Sequence, residues 1–278
     1  MTNGAALPTV DFCGTEVTRL IVGGNQLRGY SHQSDQLDRE MVEYYTCENA
    51  VRLLFECEKN GINTMLSRAD EIIFNLIRTY REQGGTMRWI GQTATEFPDP
   101  FENIRQIASL NPIAIYHHGS QTDILWKEGR IDEMRDCLKA MRDTGHPAGV
   151  GTHMPEVLRY VEEHDWHVDF YMACVYNISK VRRQSVLAGG EPVEEPFDDP
   201  DREIMCEFIR STSKPCLAFK VLGAGRKCES RETIREAFQF AFDNIKPTDA
   251  VVVGVFQKYK DQVAENCSLV RDVLTGGA

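Results

Sequence analysis

Short apolar runs alternate with longer segments in which apolar residues recur every three or four positions, and this alternation continues from one end of the chain to the other. The short runs read as buried strands at Arg19 to Gly23, Ile62 to Leu66, Met87 to Gln92, Ile113 to His117, Gly149 to Gly151, Val168 to Ala173, Cys216 to Lys220 and Ala250 to Val255. Between and after them the helical period predicts helices over Cys47 to Asn60, Glu71 to Gln83, Phe101 to Leu110, Arg130 to Thr144, Met154 to His164, Asp199 to Thr212, Ser230 to Asn244 and Lys258 to Leu274. Asn60-Gly61, Gly84-Gly85 and Thr144-Gly145 supply glycine where a helix ends in a left-handed residue. Ser230 with Thr233, and Asp199 with Pro200, supply helix starts.

Parallel strands need a crossover between them, and eight strand-then-helix units can close into a barrel. The expectation is therefore an α/β protein, a single (β/α)8 TIM barrel over residues 1–278, with long loops 25–46 and 179–200 over its C-terminal face. An open doubly wound sheet is the alternative. It calls for a G-x-G-x-x-G turn after the first strand, where this chain has Gly23-Gly24-Asn25.

Composition fits one large globular unit: 278 residues, 42% hydrophobic and 26% charged. Thirty-one Lys and Arg against 42 Asp and Glu leave a net charge of -11, which repels nucleic acid and anionic membrane surfaces. Much of that acidity falls between Glu191 and Asp201, so it does not imply a cationic substrate. There is no long apolar run and no basic start followed by an apolar stretch, so neither a transmembrane nor a signal segment is expected. Nine scattered cysteines without a C-x-x-C pair read as free thiols in a cytoplasmic protein. A small-molecule substrate is the expected partner, with oligomerisation left open.

In several places the chain resembles the aldo/keto reductase family. The resemblance rests on Glu16-Val17-Thr18-Arg19-Leu20 leading into Gly23-Gly24, on Gly61-Ile62-Asn63, on Ile115-Tyr116-His117-His118-Gly119 and on Gly149-Val150-Gly151-Thr152-His153. It continues through Tyr176-Asn177, Lys220-Val221-Leu222-Gly223-Ala224-Gly225 and Val253-Gly254. It implies an NADP(H)-dependent barrel that reduces a carbonyl, with Gly223, Gly225, Gln262, Glu265 and Asn266 holding the adenosine end of the cofactor. The family's catalytic aspartate position reads Leu66, its tyrosine falls at Glu71 or Asp70, and its lysine falls within Gln92-Thr93-Ala94-Thr95. Its Ser-Asn nicotinamide pair reads Gly151-Thr152, and its glutamine falls at Met172 or Ala173. Only the histidine remains, at His118.

Strand ends on a barrel share one bowl. Here they bring Asn25, Gln26, Arg68, Asp70, Glu71, Gln92, Glu96, His117, His118, Asp123, His153, Glu156, Asn177 and Lys220, and Tyr30 and His32 can fold over from the first long loop. One expectation pairs His118 with Asp70 or Glu71 as acid and base, with Arg68 or Lys220 holding an anionic oxygen. Another places a divalent metal on His118 and His153, completed by Glu71, Glu96 or Asp123. Against these stand ordinary structural roles: His117 and His118 point opposite ways, so one of them is buried in barrel packing or bonded to a neighbouring strand, Asp70 and Glu71 start a helix, and His153 precedes one. His146, His164 and His167 lie at the opposite end and read as structural. The functional expectation is non-redox acid/base or metal-assisted chemistry of lyase or isomerase type on a sugar-like or hydroxy-carbonyl compound. The alternatives are an NADP(H) oxidoreductase with a rearranged proton donor and a non-catalytic small-ligand-binding protein.

Overall fold

A computed structural model describes residues 6–181 and 194–276. The chain begins with an antiparallel hairpin, β1 (Thr9–Phe12) and β2 (Thr15–Thr18), turned by Cys13 and Gly14 at positive φ. Eight parallel strands then close into a barrel: β3 (Leu20–Gly23), β4 (Thr64–Arg68), β5 (Arg88–Gln92), β6 (Ala114–His117), β7 (Ala148–Thr152), β8 (Phe170–Cys174), β9 (Cys216–Phe219) and β10 (Ala250–Val253). The β10–β3 ladder, Val251 opposite Leu20 through Val253 opposite Val22, completes the ring. The molecule is a single (β/α)8 TIM barrel, as the alternation predicts.

The helices are α1 (Asp35–Tyr44), α2 (Cys47–Lys59), α3 (Glu71–Glu82), α4 (Pro100–Ser109), α5 (Gly119–Lys127), α6 (Met134–Asp143), α7 (Pro155–Glu163), α8 (Asp199–Ser211), α9 (Arg231–Asn244) and α10 (Gln262–Thr275). Ser230 and Thr233 form a reciprocal cap at the start of α9. Three elements lie outside the expected pattern: the hairpin, α1 within loop 25–46, and α5. Of the second long loop, 182–193, including Glu191, lies outside the described residues, and the chain is described again from Glu194. Among the described residues no helix is long and apolar enough to cross a membrane.

Period-two alternation sorts the barrel strands into two faces. Ile21, Leu66, Ile90, Tyr116, Met172, Leu217 and Val252 fill the lumen, and Phe12 and Val17 of the hairpin join them. Val22, Met65, Trp89, Ile115, Val150, Tyr171 and Val251 turn outward into the layer under the helices. On β7 the inward positions are glycines because aromatic rings take the space. A Cβ at Gly149 would lie 2.4 Å from the Phe170 ring, and one at Gly151 would lie 3.0 Å from the Tyr116 ring. Continued upward, the inward phase brings Arg68, Gln92, His118, His153 and Phe219 to the C-terminal mouth.

Candidate active site

The best-defined polar group at the mouth joins β7 to α5. Asp123, on the second turn of α5 and 2% exposed, places Oδ2 2.6 Å from Nδ1 of His153 and accepts the His153 backbone N–H through Oδ1 at 3.2 Å. The Thr152 and Ser179 hydroxyls donate to the same carboxylate. Burial works to raise its pKa, but His153 and these hydrogen bonds outweigh burial and hold it below the usual carboxylate range. An ionised Asp123 accepting from Nδ1–H fixes the imidazole tautomer with its lone pair on Nε2.

His118 is set up differently. It caps α5, and its Nδ1 accepts the Ser120 N–H at 3.1 Å, so the neutral ring carries its proton on Nε2. Burial lowers its pKa to about 3, aided by the nearby charges of Arg68, His117 and His153. It is therefore a neutral donor throughout the physiological range. His117 turns outward as alternation requires, sits 2.8 Å from the Thr122 hydroxyl, and is lowered by burial to about 4.

At the end of β4 the arrangement departs from the expected acid/base pair. Asp70 caps α3 through Ile73 N–H at 3.0 Å and binds Arg28 Nε at 2.6 Å, so its oxygens serve those partners and not His118. Glu71 is exposed and borders a surface groove with Leu27, Tyr45, Cys47 and Ile72. Arg68 pairs with Glu96, hydrogen-bonds Thr95 at 2.9 Å and lies over the Tyr30 ring, with its charge felt by His118.

The fourth group comes from three distant segments. Lys220 follows β9 with φ +60, and this left-handed turn breaks the strand alternation. Its Nζ lies 2.8 Å from Nε2 of His32, itself at φ +59, while His32 Nδ1 lies 2.8 Å from Oε2 of the buried Glu195. Phe219 connects this group to the first one, since its ring lies 5.5 Å from the His153 ring and 5.7 Å from Lys220 Nζ.

Gln26 adds an unmet acceptor between the ends of β3 and β10. Its amide donates to Gly23 O at 2.7 Å, which leaves Oε1 buried against Gly254 without a partner among the described residues. Asn25 and Glu156 are exposed, and Asn177 donates its backbone N–H to Asp201.

The metal expectation does not fit these side chains. The His118 lone pair accepts Ser120 N–H and its Nε2 carries the proton, so His153 Nε2 is left without a second imidazole, while Asp123 is committed to His153, Glu96 to Arg68, and Glu71 faces the surface. Among the described residues no group of three or more His, Cys, Asp or Glu could hold a metal ion. The residues expected at a cofactor's adenosine end carry out local work. The Gln33 side chain fills the space beside Gly225 and donates to Ala224 O, Gln262 accepts Phe256 N–H at 2.8 Å, and Glu265 pairs with Lys260 at 2.6 Å. Gly223 opens the same turn at φ +59, and Asn266 is buried on α10. Two surface cavities of about 330 and 460 Å³ lie outside the bowl and contain none of His118, His153 and Lys220. The site is placed by its chemistry, in a mouth that these side chains already cross.

No family profile matches the sequence, and neither does any curated protein. The fold is shared with solved structures. A truncated 3-deoxy-D-arabino-heptulosonate 7-phosphate synthase from Thermotoga maritima is 10% identical, with TM-score 0.55 over 98% of this chain and 91% of that one. Gox0644 in its apo form is 10% identical, with TM-score 0.60 over 96% and 94%. An uncharacterised B. cereus protein is 11% identical, with TM-score 0.51 over 89% and 63%. These likenesses establish the class, a TIM barrel, and at such identity they establish the fold alone. They also correct the family resemblance. The short motifs that pointed to aldo/keto reductases are features of strand ends and turns in a (β/α)8 barrel, and membership of that family is not indicated.

Proposed function

We propose that this barrel is an enzyme of lyase or isomerase type that moves a proton next to the carbonyl of a small sugar-like or hydroxy-carbonyl compound. The observation that carries the reading is the buried Asp123–His153 pair, which leaves an imidazole lone pair at the mouth. In this reading His153 Nε2 removes the proton, and Asp123 stabilises the imidazolium that forms. Charge then develops on the carbonyl oxygen. A neutral His118 Nε2–H is suited to meet it, because a donor that cannot ionise does not lose its proton to the oxygen it supports. Arg68 and Lys220 supply positive charge from the ends of β4 and β9. Gln26 Oε1, without a partner among the described residues, favours a substrate that brings a hydroxyl donor.

Solvent exchange tests this reading directly. Dihydroxyacetone, glyceraldehyde and related hydroxy-carbonyl compounds incubated with the protein in D2O are expected to lose carbon-bound protons, as followed by NMR. Asp123→Asn is expected to slow exchange by about 10²–10⁴, the usual range for losing general-base assistance, and to lower the thermal melt, because the amide nitrogen faces groups that donate to the carboxylate. Exchange at the wild-type rate in both Asp123→Asn and His153→Gln, or none across the panel, rules the reading out.

A further inference from the structure

We infer that Lys220 captures the substrate carbonyl covalently, as an iminium, and that His32 and Glu195 exist to hand it over as a neutral amine. The inference rests on the bowl being the active site and, within that reading, replaces the charge that Lys220 would lend the carbonyl oxygen by a covalent bond to the carbonyl carbon.

The described contacts place a glutamate, a histidine and a lysine in line, with the lysine in the nucleophile's position. Glu195 Oε2 faces His32 Nδ1 at 2.8 Å, so the imidazole donates there and leaves its Nε2 lone pair as an acceptor. Lys220 Nζ stands 2.8 Å from that lone pair. The three residues are far apart in sequence, and both His32 and Lys220 hold left-handed backbone conformations that side chains with a Cβ rarely adopt. Two such residues in direct contact at a strand end are a feature that surface packing does not require, and held strain of this kind gathers at functional sites. The lysine is also next to the other machinery. The Phe219 ring neighbours both its Nζ and the His153 ring, and the charge of Lys220 is felt by Cys174 at the end of β8 together with that of Asp123.

The step balances without any further reactant. The Lys220 ammonium gives a proton to His32 Nε2, and the imidazolium is held by Glu195. The Nζ lone pair attacks the carbonyl carbon, the carbonyl π pair moves to oxygen, and a proton passes from nitrogen to that oxygen to give the carbinolamine. His32 then protonates the hydroxyl, which leaves as water while the nitrogen lone pair closes the C=N bond. One ammonium and one carbonyl become one iminium and one water. The iminium takes the electron pair released when His153 removes the neighbouring proton, and His118 is left to hold an adjacent substrate hydroxyl. Lys220 is the catalytic residue here, and His32 and Glu195 are positioning residues that act through it.

Reductive trapping decides the matter. The whole protein is incubated with dihydroxyacetone, glyceraldehyde or pyruvate and sodium cyanoborohydride, then read by intact mass and peptide mapping. The expected result is one adduct, the mass of the probe less one oxygen, located on Lys220. His32→Gln and Glu195→Gln are expected to slow labelling of Lys220 on the order of a hundredfold and to shift its pH profile to higher pH. Label confined to exposed lysines such as Lys139, or a Lys220 rate unchanged in His32→Gln, overturns the inference. The wild-type peptide map is decisive even if either variant fails to fold. Deuterium exchange without an adduct keeps the proton-transfer reading and ends this one, and an adduct without exchange does the reverse.

Discussion

His117 and His118 are adjacent and identical in kind, yet one peptide unit separates a packing residue from a candidate catalytic one. Strand alternation turns His117 out to Thr122 and His118 up to the mouth, and this division is legible in the sequence alone. What the sequence does not reveal is the state of the ring. The state depends on the backbone N–H of Ser120 being presented to Nδ1 at the start of α5, and on Arg68 arriving from another strand. The expected outcome is that His118 stays neutral at any pH near 7, with its proton on Nε2. In NMR spectra of ring-labelled protein its shifts should stay flat from about pH 5 to 8, well clear of the unperturbed histidine pKa of about 6.5. A midpoint within that interval would remove His118 from the role of neutral donor. The partner of His153 was hidden for a related reason. The sequence marks Asp123 as a strand-end carboxylate, but its tie to His153 follows from α5, which the polar stretch Gly119-Ser120-Gln121-Thr122-Asp123 does not announce.

All eight barrel strands and their crossover helices are legible in the sequence, because short buried apolar runs and amphipathic helices carry different patterns. The elements that escaped are short or half-polar. The hairpin reads Thr9-Val10-Asp11-Phe12, an alternation of four residues only, and it lies outside the repeating unit. It nevertheless closes the N-terminal end of the barrel. Phe12 is 2% exposed and meets Phe170 edge-on, with ring centroids 4.8 Å apart. Removing that ring leaves a cavity which the hairpin and the lumen can only partly collapse. Phe12→Ala is therefore expected to cost about 3–5 kcal/mol, measured by urea unfolding, with the site at the opposite end unchanged in its exchange activity. A cost below about 1 kcal/mol would mean that the hairpin rests on the barrel without sealing it. The α1 helix escaped because its charged run, Asp38 to Glu43, reads as solvated loop. In the fold it lies beside the turn that carries His32 toward Lys220.

For the molecule as a whole, the buried titratable groups at the mouth predict how stability responds to acid. His117 ionises near 6.5 in an unfolded chain and at about 4 when buried. Above pH 6.5 neither state binds the proton, and the fold keeps its full stability. As pH falls from there toward 4, the unfolded chain takes up a proton that the native state refuses, and stability is lost progressively, by about 3 kcal/mol from this residue. His118 acts in the same direction, with its window reaching down to about pH 3. Asp123, whose pKa is lowered in the fold, keeps its contribution above the unfolded value and loses it only as pH drops further. Asp249 opposes them. Burial raises its pKa, so its contribution is present at low pH and lost as pH rises through the folded value. Comparing two proteins that both retain Asp249 cancels that effect. Urea midpoints measured at pH 7, 5 and 4 should fall steeply for the wild type. For His117→Gln, which keeps an amide beside Thr122 and cannot ionise, they should fall less, the unfolding free energies from the same curves differing by roughly the 3 kcal/mol assigned to His117. Parallel falls in the two proteins would show that His117 charges as easily in the fold as outside it, and that the outward side of the β6 end is open to water.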